Sequence, residues 1–230
     1  MKLKNDESAD VRSDVATQVI GLFFVAIIVL AFTTNPVQTG TKEGQRAPAL
    51  EGMAYNGSGW SEFSMDDWID PFWTPGNASG EWLVVEFMDT DCPFCIESAV
   101  MLGQYANYFQ KLDPAPGQED AWDGPMVNFL ASATELNIEG HETSRSEIMA
   151  FRDLTSGETC NGRDCGSREG GSHSFTYIDD IDQDNMKKWG IAGTPTYFII
   201  QPDGIVSWVS SENQGEELQN AIYRILTESE

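Results

Sequence analysis

WLVVEFMDTDCPFC, residues 82–95 of a 230-residue chain, runs from an apolar stretch through Asp89-Thr90-Asp91 into two cysteines three positions apart. The run over 81–87 is short, partly β-branched and preceded by Gly80, which predicts a buried strand. Beyond the cysteines, Leu102, Tyr105, Phe109 and Leu112 recur at helical spacing and predict a helix over 93–112. Cysteines three apart on a first helical turn face one side, close enough to join. Cys92 then falls in the N-cap region and Pro93 at the first helical position, where its missing N–H costs nothing. Unpaired backbone N–H groups and the helix dipole favour a thiolate on Cys92, the attacking species in disulfide exchange. Cys95, one turn deeper, is placed as the resolving thiol.

Three other uses of the pair compete at this point. CPFC could close a structural disulfide, or join Cys160 and Cys165 in a four-cysteine zinc site. It could also hold copper with His173 or His141. Zinc knuckles usually turn on a Gly after the second Cys, whereas here Ile96-Glu97 enters a helix.

MVNFLAS (126–132) is a second strand candidate, and DPAPG (113–117) ends the preceding helix. Ser144 and Glu147 form an S-x-x-E capping box opening a helix through 154. TYFII (196–200), a PDG turn (202–204) and IVSWV read as a hairpin. Leu218, Ala221, Ile222, Ile225 and Leu226 mark an amphipathic last helix. This order implies an α/β fold with a central mixed sheet flanked by helices. Trp60, Trp68, Phe72 and Trp73 read as core or loop-packing residues.

The balance of 13 Lys and Arg against 37 Asp and Glu gives a net charge of −24. Such a surface repels phosphates and anionic headgroups, which argues against a nucleic-acid partner. Residues 15–32 carry no charge. As a helix they span about 27 Å, against a hydrocarbon core of about 30 Å, and Thr33 and Thr34 can extend them. The expectation is a signal-anchor over 15–34, after a tail over 1–14. A cleaved signal peptide is the alternative, although no small-x-small site follows. Lys2, Lys4 and Arg12 precede the span and bias the N-terminus to the cytoplasm, leaving the rest outside it. The polar, Gly- and Pro-bearing stretch 35–46 reads as a linker before a domain over 47–230. Asn-x-Ser sequons at Asn56 and Asn77 fit an exported surface.

These motifs together resemble the thioredoxin superfamily, in particular its membrane-tethered TlpA-like branch. GQRAPALEG (44–52) is similar to the family's opening segment, WLVVEFMDTDCPFC to its strand-to-CxxC junction, and WGIAGTPTYFIIQPDGIV (189–206) to its cis-proline strand and hairpin. The resemblance implies a thioredoxin-like fold and a thiol–disulfide oxidoreductase that needs no cofactor and no metal. It implies protein thiol or disulfide substrates and a redox partner that recycles the pair, with the direction of transfer left open. Pro195 is expected cis, with Thr194 against the sulfurs and, together with Pro93 and Phe94, in contact with substrate. Glu86 is expected to be a buried acid that relays the proton of Cys95.

Departures from the family are informative. Asp91 replaces the usual Trp before the first Cys, and a carboxylate there should oppose a low Cys92 pKa. Stretches 70–80 and 155–174 read as insertions. Cys160 and Cys165 in the second are expected to form a local disulfide whose small ring contributes about 2 kcal/mol. The P-x-x-x-T-x-x-C arrangement of peroxiredoxins is absent, which disfavours peroxidase chemistry.

Overall fold

A computed structural model describes residues 7–33, 37–77, 79–112, 122–136 and 142–228. The predicted break at 113–117, His141 and the first six residues of the tail lie outside them. The chain divides into two units, Met1–Val37 and Gln38–Glu230. The first contains helix α1 (Glu7–Thr33), whose described side chains, 15–30, are all exposed. Among the described residues no helix is long and apolar enough to cross a membrane.

The second unit is built on β1 (Glu51–Tyr55), β2 (Trp60–Ser64), β3 (Trp82–Met88), α2 (Pro93–Phe109), β4 (Val127–Thr134), α3 (Arg145–Asp153), β5 (Thr159–Cys160), β6 (Arg163–Asp164), β7 (Thr176–Asp180), α4 (Asp184–Lys188), β8 (Thr196–Ile200), β9 (Val206–Val209) and α5 (Leu218–Glu228). Seven strands form one sheet in the order β2-β1-β7-β4-β3-β8-β9. Strands β3, β4 and β7 are parallel neighbours, and β8 and β9 extend the sheet antiparallel. Parallel neighbours need a crossover, and α2 supplies the one between β3 and β4.

Every residue of β3 is buried, as expected of a central strand covered on both faces. Its period of two divides the core. Leu83, Val85 and Phe87 join Phe198, Ile200 and Trp189 on one face. Trp82, Val84 and Met88 join Cys92, Cys95, Leu102 and Phe109 of the α2 side on the other. Glu86 shares that second face by parity, so its carboxyl lies under the helix that carries the cysteines.

The expected hairpin β8–β9 turns at Gly204 (φ 86°), a left-handed position that suits glycine. Its backbone N–H donates to Gln201 O (2.8 Å). The capping box opens α3 as anticipated, with Ser144 Oγ accepting from the Glu147 N–H (3.2 Å). Part of the expected linker is not free. Arg46 bridges to both Thr39 and Ile205, and the Val206 N–H donates to Gln45 O (2.9 Å). Residues 38–46 therefore satisfy backbone groups at the β9 edge that would otherwise be open, and the unit starts at Gln38 rather than at 47.

The insertion at 70–80 packs through Trp73, which meets Trp82 edge-on (centroids 5.7 Å apart) and donates to Asn77 O. Phe72 does not pack: it is 89% exposed because its neighbours hold Trp73, not Phe72, against the core. Trp68 is also exposed, lying edge-on to Phe63. Asn56 and Asn77 are both exposed, each accepting from the N–H and hydroxyl of the sequon serine.

Candidate active site

The chain leaves β3 through Asp89-Thr90-Asp91, and each of these polar side chains is engaged. Asp89 accepts from the Asp91 N–H (2.7 Å) and the Leu136 N–H (2.6 Å), which fixes the loop to the end of β4. Thr90 Oγ1 donates to the Glu147 carboxylate at the start of α3. The Asp91 carboxylate accepts from the Asn161 N–H at the tip of the β5–β6 hairpin. This corrects the expectation that Asp91 opposes ionisation of Cys92. Its charge is turned onto a backbone donor of the insertion, and none of the main influences on Cys92 comes from it.

Cys92 is the N-cap of α2, in extended backbone (φ −70°, ψ 117°), with Pro93 following. Its carbonyl accepts from the N–H groups of Cys95 and Ile96, and its Sγ from the Cys95 N–H (3.4 Å). The Cys92 thiol donates to Thr194 O (3.3 Å), and the Thr194–Pro195 peptide is cis. Both CPFC cysteines are free thiols, and both are buried, Cys92 at 4% exposure and Cys95 at 1%. Pro93 and Phe94 between them stand at the surface, Phe94 68% exposed.

The two thiols are driven apart electrostatically. Cys92 is held down to about 6, foremost by the hydrogen bond from the Cys95 thiol, with help from Thr194 and the N–H groups of Cys95 and Phe94, against the effect of burial. Cys95 is pushed far up, first by burial, then by its bond to Cys92 and the nearby Glu86 charge. Glu86, 3% exposed, is raised to about 8 by burial, a rise that the Tyr197 hydroxyl opposes. Register explains that contact, since Glu86 is paired with Tyr197 on β8, and the Tyr197 hydroxyl continues to Ser98 Oγ on α2 (2.8 Å). At neutral pH the arrangement is a thiolate at the helix cap, a protonated thiol behind it, and a carboxyl beneath that can exchange a proton.

Thr194 Oγ1 is buried and makes no hydrogen bond while Cys92 is a thiol. A thiolate gives it an acceptor. Thr194→Val keeps the volume and removes this donor. It is expected to raise the Cys92 pKa by about one unit, the value of one hydrogen bond. The pH dependence of iodoacetamide alkylation measures this, and an unmoved midpoint would exclude the hydroxyl.

Cys160 and Cys165 are joined in a disulfide (S–S 2.02 Å) across the β5–β6 hairpin. Their pairing is incompatible with the four-thiolate zinc arrangement. His173 is buried with Nε2 against Ala99 O (2.9 Å) and Nδ1 against the Tyr177 hydroxyl (2.7 Å). Burial lowers its pKa to about 3, so it is a neutral core histidine, not a copper ligand. Among the described residues no group of three or more His, Cys, Asp or Glu could hold a metal ion.

Sequence reasoning missed Tyr197, Asn161 and Arg168. The Arg168 guanidinium is buried over the Phe151 ring and is one of the charges acting on Glu86. Parity alone could have suggested Tyr197, two residues after Pro195. The other two are placed by the insertion, where the Asn161-Gly162 pair was a hairpin signal (φ 49° and 71°).

No protein-family model and no curated protein matches the chain. Solved structures do. The reduced 2-Cys peroxiredoxin of Plasmodium vivax is 16% identical, with 81% of this chain and 94% of that one covered at a TM-score of 0.53. The mitochondrial 2-Cys peroxiredoxin of Plasmodium falciparum is 14% identical, with coverage of 82% and 92% at a TM-score of 0.51. A thioredoxin domain of a thiol-disulfide oxidoreductase from Bacteroides vulgatus is 14% identical, with coverage of 80% and 98% at a TM-score of 0.46. At these identities the likeness is one of fold. Sheet order and the two peroxiredoxin matches together show that the chain has a thioredoxin-like α/β fold.

Proposed function

We propose that the chain is a membrane-tethered thiol–disulfide oxidoreductase acting outside the cytoplasm on protein substrates through Cys92-Pro93-Phe94-Cys95. The observation that carries this reading is the polarised pair: a Cys92 sulfur at the helix cap with a lowered pKa, backed by a buried Cys95 thiol. In reduction, the Cys92 thiolate attacks a substrate disulfide and expels one substrate thiolate. Cys95, its proton passed to Glu86 in the fraction of molecules where that carboxyl is ionised, then attacks Cys92 Sγ, releasing the second substrate thiolate and closing Cys92–Cys95. In the opposite direction a substrate thiolate attacks the closed pair. Pro93, Phe94 and Thr194 border the sulfur and form the substrate contact, and a partner protein resets the pair. Chemistry of this kind needs no cofactor.

The stabilised thiolate favours the reduced pair. With a pKa of about 6 at pH 7 the effect is up to about 30 mV towards oxidant duty, before solvent screening reduces it. The tether is supported by the uncharged run 15–32 within α1 and by its exposed side chains, among them Leu22, Phe23 and Leu30.

Cys95→Ser tests the reading. It should leave Cys92 competent to attack and unable to be released, so covalent adducts accumulate through Cys92 that dithiothreitol reverses. Wild-type protein should reduce insulin and show Cys92 alkylated ahead of Cys95. Capture of nothing by the variant, with no insulin reduction by the wild type, would sink the proposal. For the tether, full-length protein should stay in alkali-washed membranes, and a chain starting at Gln38 should be released from them.

A further inference from the structure

The Cys160–Cys165 disulfide has no part in the exchange described above, yet two observations bring it to the same end of α2. The Asn161 N–H binds the carboxylate of Asp91, so the residue after Cys160 is held by the residue before Cys92. Ordinary bond lengths then keep the Cα atoms of Cys92 and Cys160 within about 12 Å. Both sulfur-bearing residues of the disulfide line a cavity of about 340 Å³ whose facing wall is Ile96, Glu97 and Val100, the turn of α2 directly after Cys95. Arg163 and Arg168 line that cavity too, and the Arg168 N–H donates to Cys165 O (3.2 Å). The Arg168 guanidinium donates to the carbonyls of Phe151, Glu169 and Gly171.

We propose that Cys160–Cys165 is a second redox centre that exchanges electrons with Cys92–Cys95 within one chain. This rests on the oxidoreductase reading of CPFC. The Cys92 thiolate attacks Cys160 Sγ, forming a Cys92–Cys160 bond as the Cys160–Cys165 bond breaks and Cys165 leaves as a thiolate. Cys95 then loses its proton to Glu86 and attacks Cys92 Sγ, closing Cys92–Cys95 and releasing the Cys160 thiolate. The two new thiolates take up the two protons lost by Cys92 and Cys95. Two electrons move from one pair to the other, with no outside reagent. Gly157 (φ 117°) at the base of the hairpin and Gly162 (φ 71°) at its tip provide backbone freedom for the approach. The disulfide closes a separation of only five residues, so opening it leaves the sheet intact.

The test starts full-length protein in detergent from two half-oxidised states. One has only Cys160–Cys165 closed, after brief mild reduction; the other has only Cys92–Cys95 closed, after full reduction and one equivalent of oxidant. Each is incubated free of added thiol, acid-quenched, alkylated and mapped by mass spectrometry. Both are expected to converge on one distribution, at a rate independent of protein concentration. That rate should be at least tenfold above exchange between separate Cys92→Ser/Cys95→Ser and Cys160→Ser/Cys165→Ser chains. Cys95→Ser should also yield a Cys92–Cys160 linked peptide. If each start keeps its own distribution while the preparation still reduces insulin, the second centre is refuted and the oxidoreductase reading stands. Loss of insulin reduction as well would remove both.

Discussion

Cys92→Ser should abolish disulfide exchange, lowering insulin reduction by about 10³-fold or more, the scale on which removing a nucleophile lowers a rate. The thermal midpoint should move little, because sulfur and oxygen occupy the same cap of α2 and a serine is itself a good N-cap. The pH dependence sharpens the test. A thiol held at about 6 is mostly ionised at pH 7, whereas an unshifted one near 9 is about 1% ionised. Intrinsic nucleophilicity falls as the pKa falls, with a Brønsted coefficient of about 0.5, so roughly thirtyfold of that gain is returned. The net advantage in attack at pH 7 is only a few-fold. Thiolate stability therefore acts chiefly on Cys92 as a leaving group and on the potential of the pair. Wild-type alkylation should rise with pH through a midpoint near 6 and level above about pH 7. A midpoint near 9 would show that the cap and Thr194 do not act on this sulfur.

How much of this could be read from the sequence depends on whether a signal was local. The strand-to-helix junction at Cys92 was legible because an apolar run, a proline and a helical repeat all bear on the same few residues. The two helices with clear caps or periodicity, α3 and α5, were legible for the same reason. Strand β7 was not, although it lies between β1 and β4 in the sheet. Its five residues follow a Gly- and Ser-rich stretch and end in two acids, so no alternating or continuous apolar signal marks them as a strand. The structure shows the purpose of the second acid: buried Asp180 accepts from the N–H groups of Asn185 (2.7 Å) and Met186 (2.9 Å) at the start of α4. At the site, Cys92 and Cys95 followed from spacing, whereas the surroundings of Glu86 depend on pairing partners more than a hundred residues away. Asp91 was misread for a related reason. Its neighbour in sequence is Cys92, but its partner in space is Asn161, seventy positions on.

Glu86→Gln is expected to separate the two half-reactions. Glutamine keeps the shape and can still meet the Tyr197 hydroxyl, but it cannot accept the proton of Cys95. Attack by Cys92 should therefore stay within a few-fold of wild type, whereas resolution by Cys95 slows about 10²-fold, at the low end of general-base effects. Quenched-flow trapping should show the substrate–Cys92 mixed disulfide accumulating, and the limb of the resolution rate near pH 8 should vanish. A structural role alone would slow both steps together and leave that limb in place. Stability gives an independent readout whose sign follows from the raised pKa. Between about pH 4.5 and 8 the native state retains the Glu86 proton that the unfolded chain has lost. The stabilisation of the protonated group is complete below 4.5 and is lost as pH rises through 8, a change of up to about 5 kcal/mol. The Gln variant has no such proton, so its urea midpoint should fall less from pH 5 to 9 and exceed that of the wild type at the alkaline end. Equal slopes for the two proteins would mean that Glu86 is ionised throughout this range, and the proton relay to Cys95 would have to be given to another group.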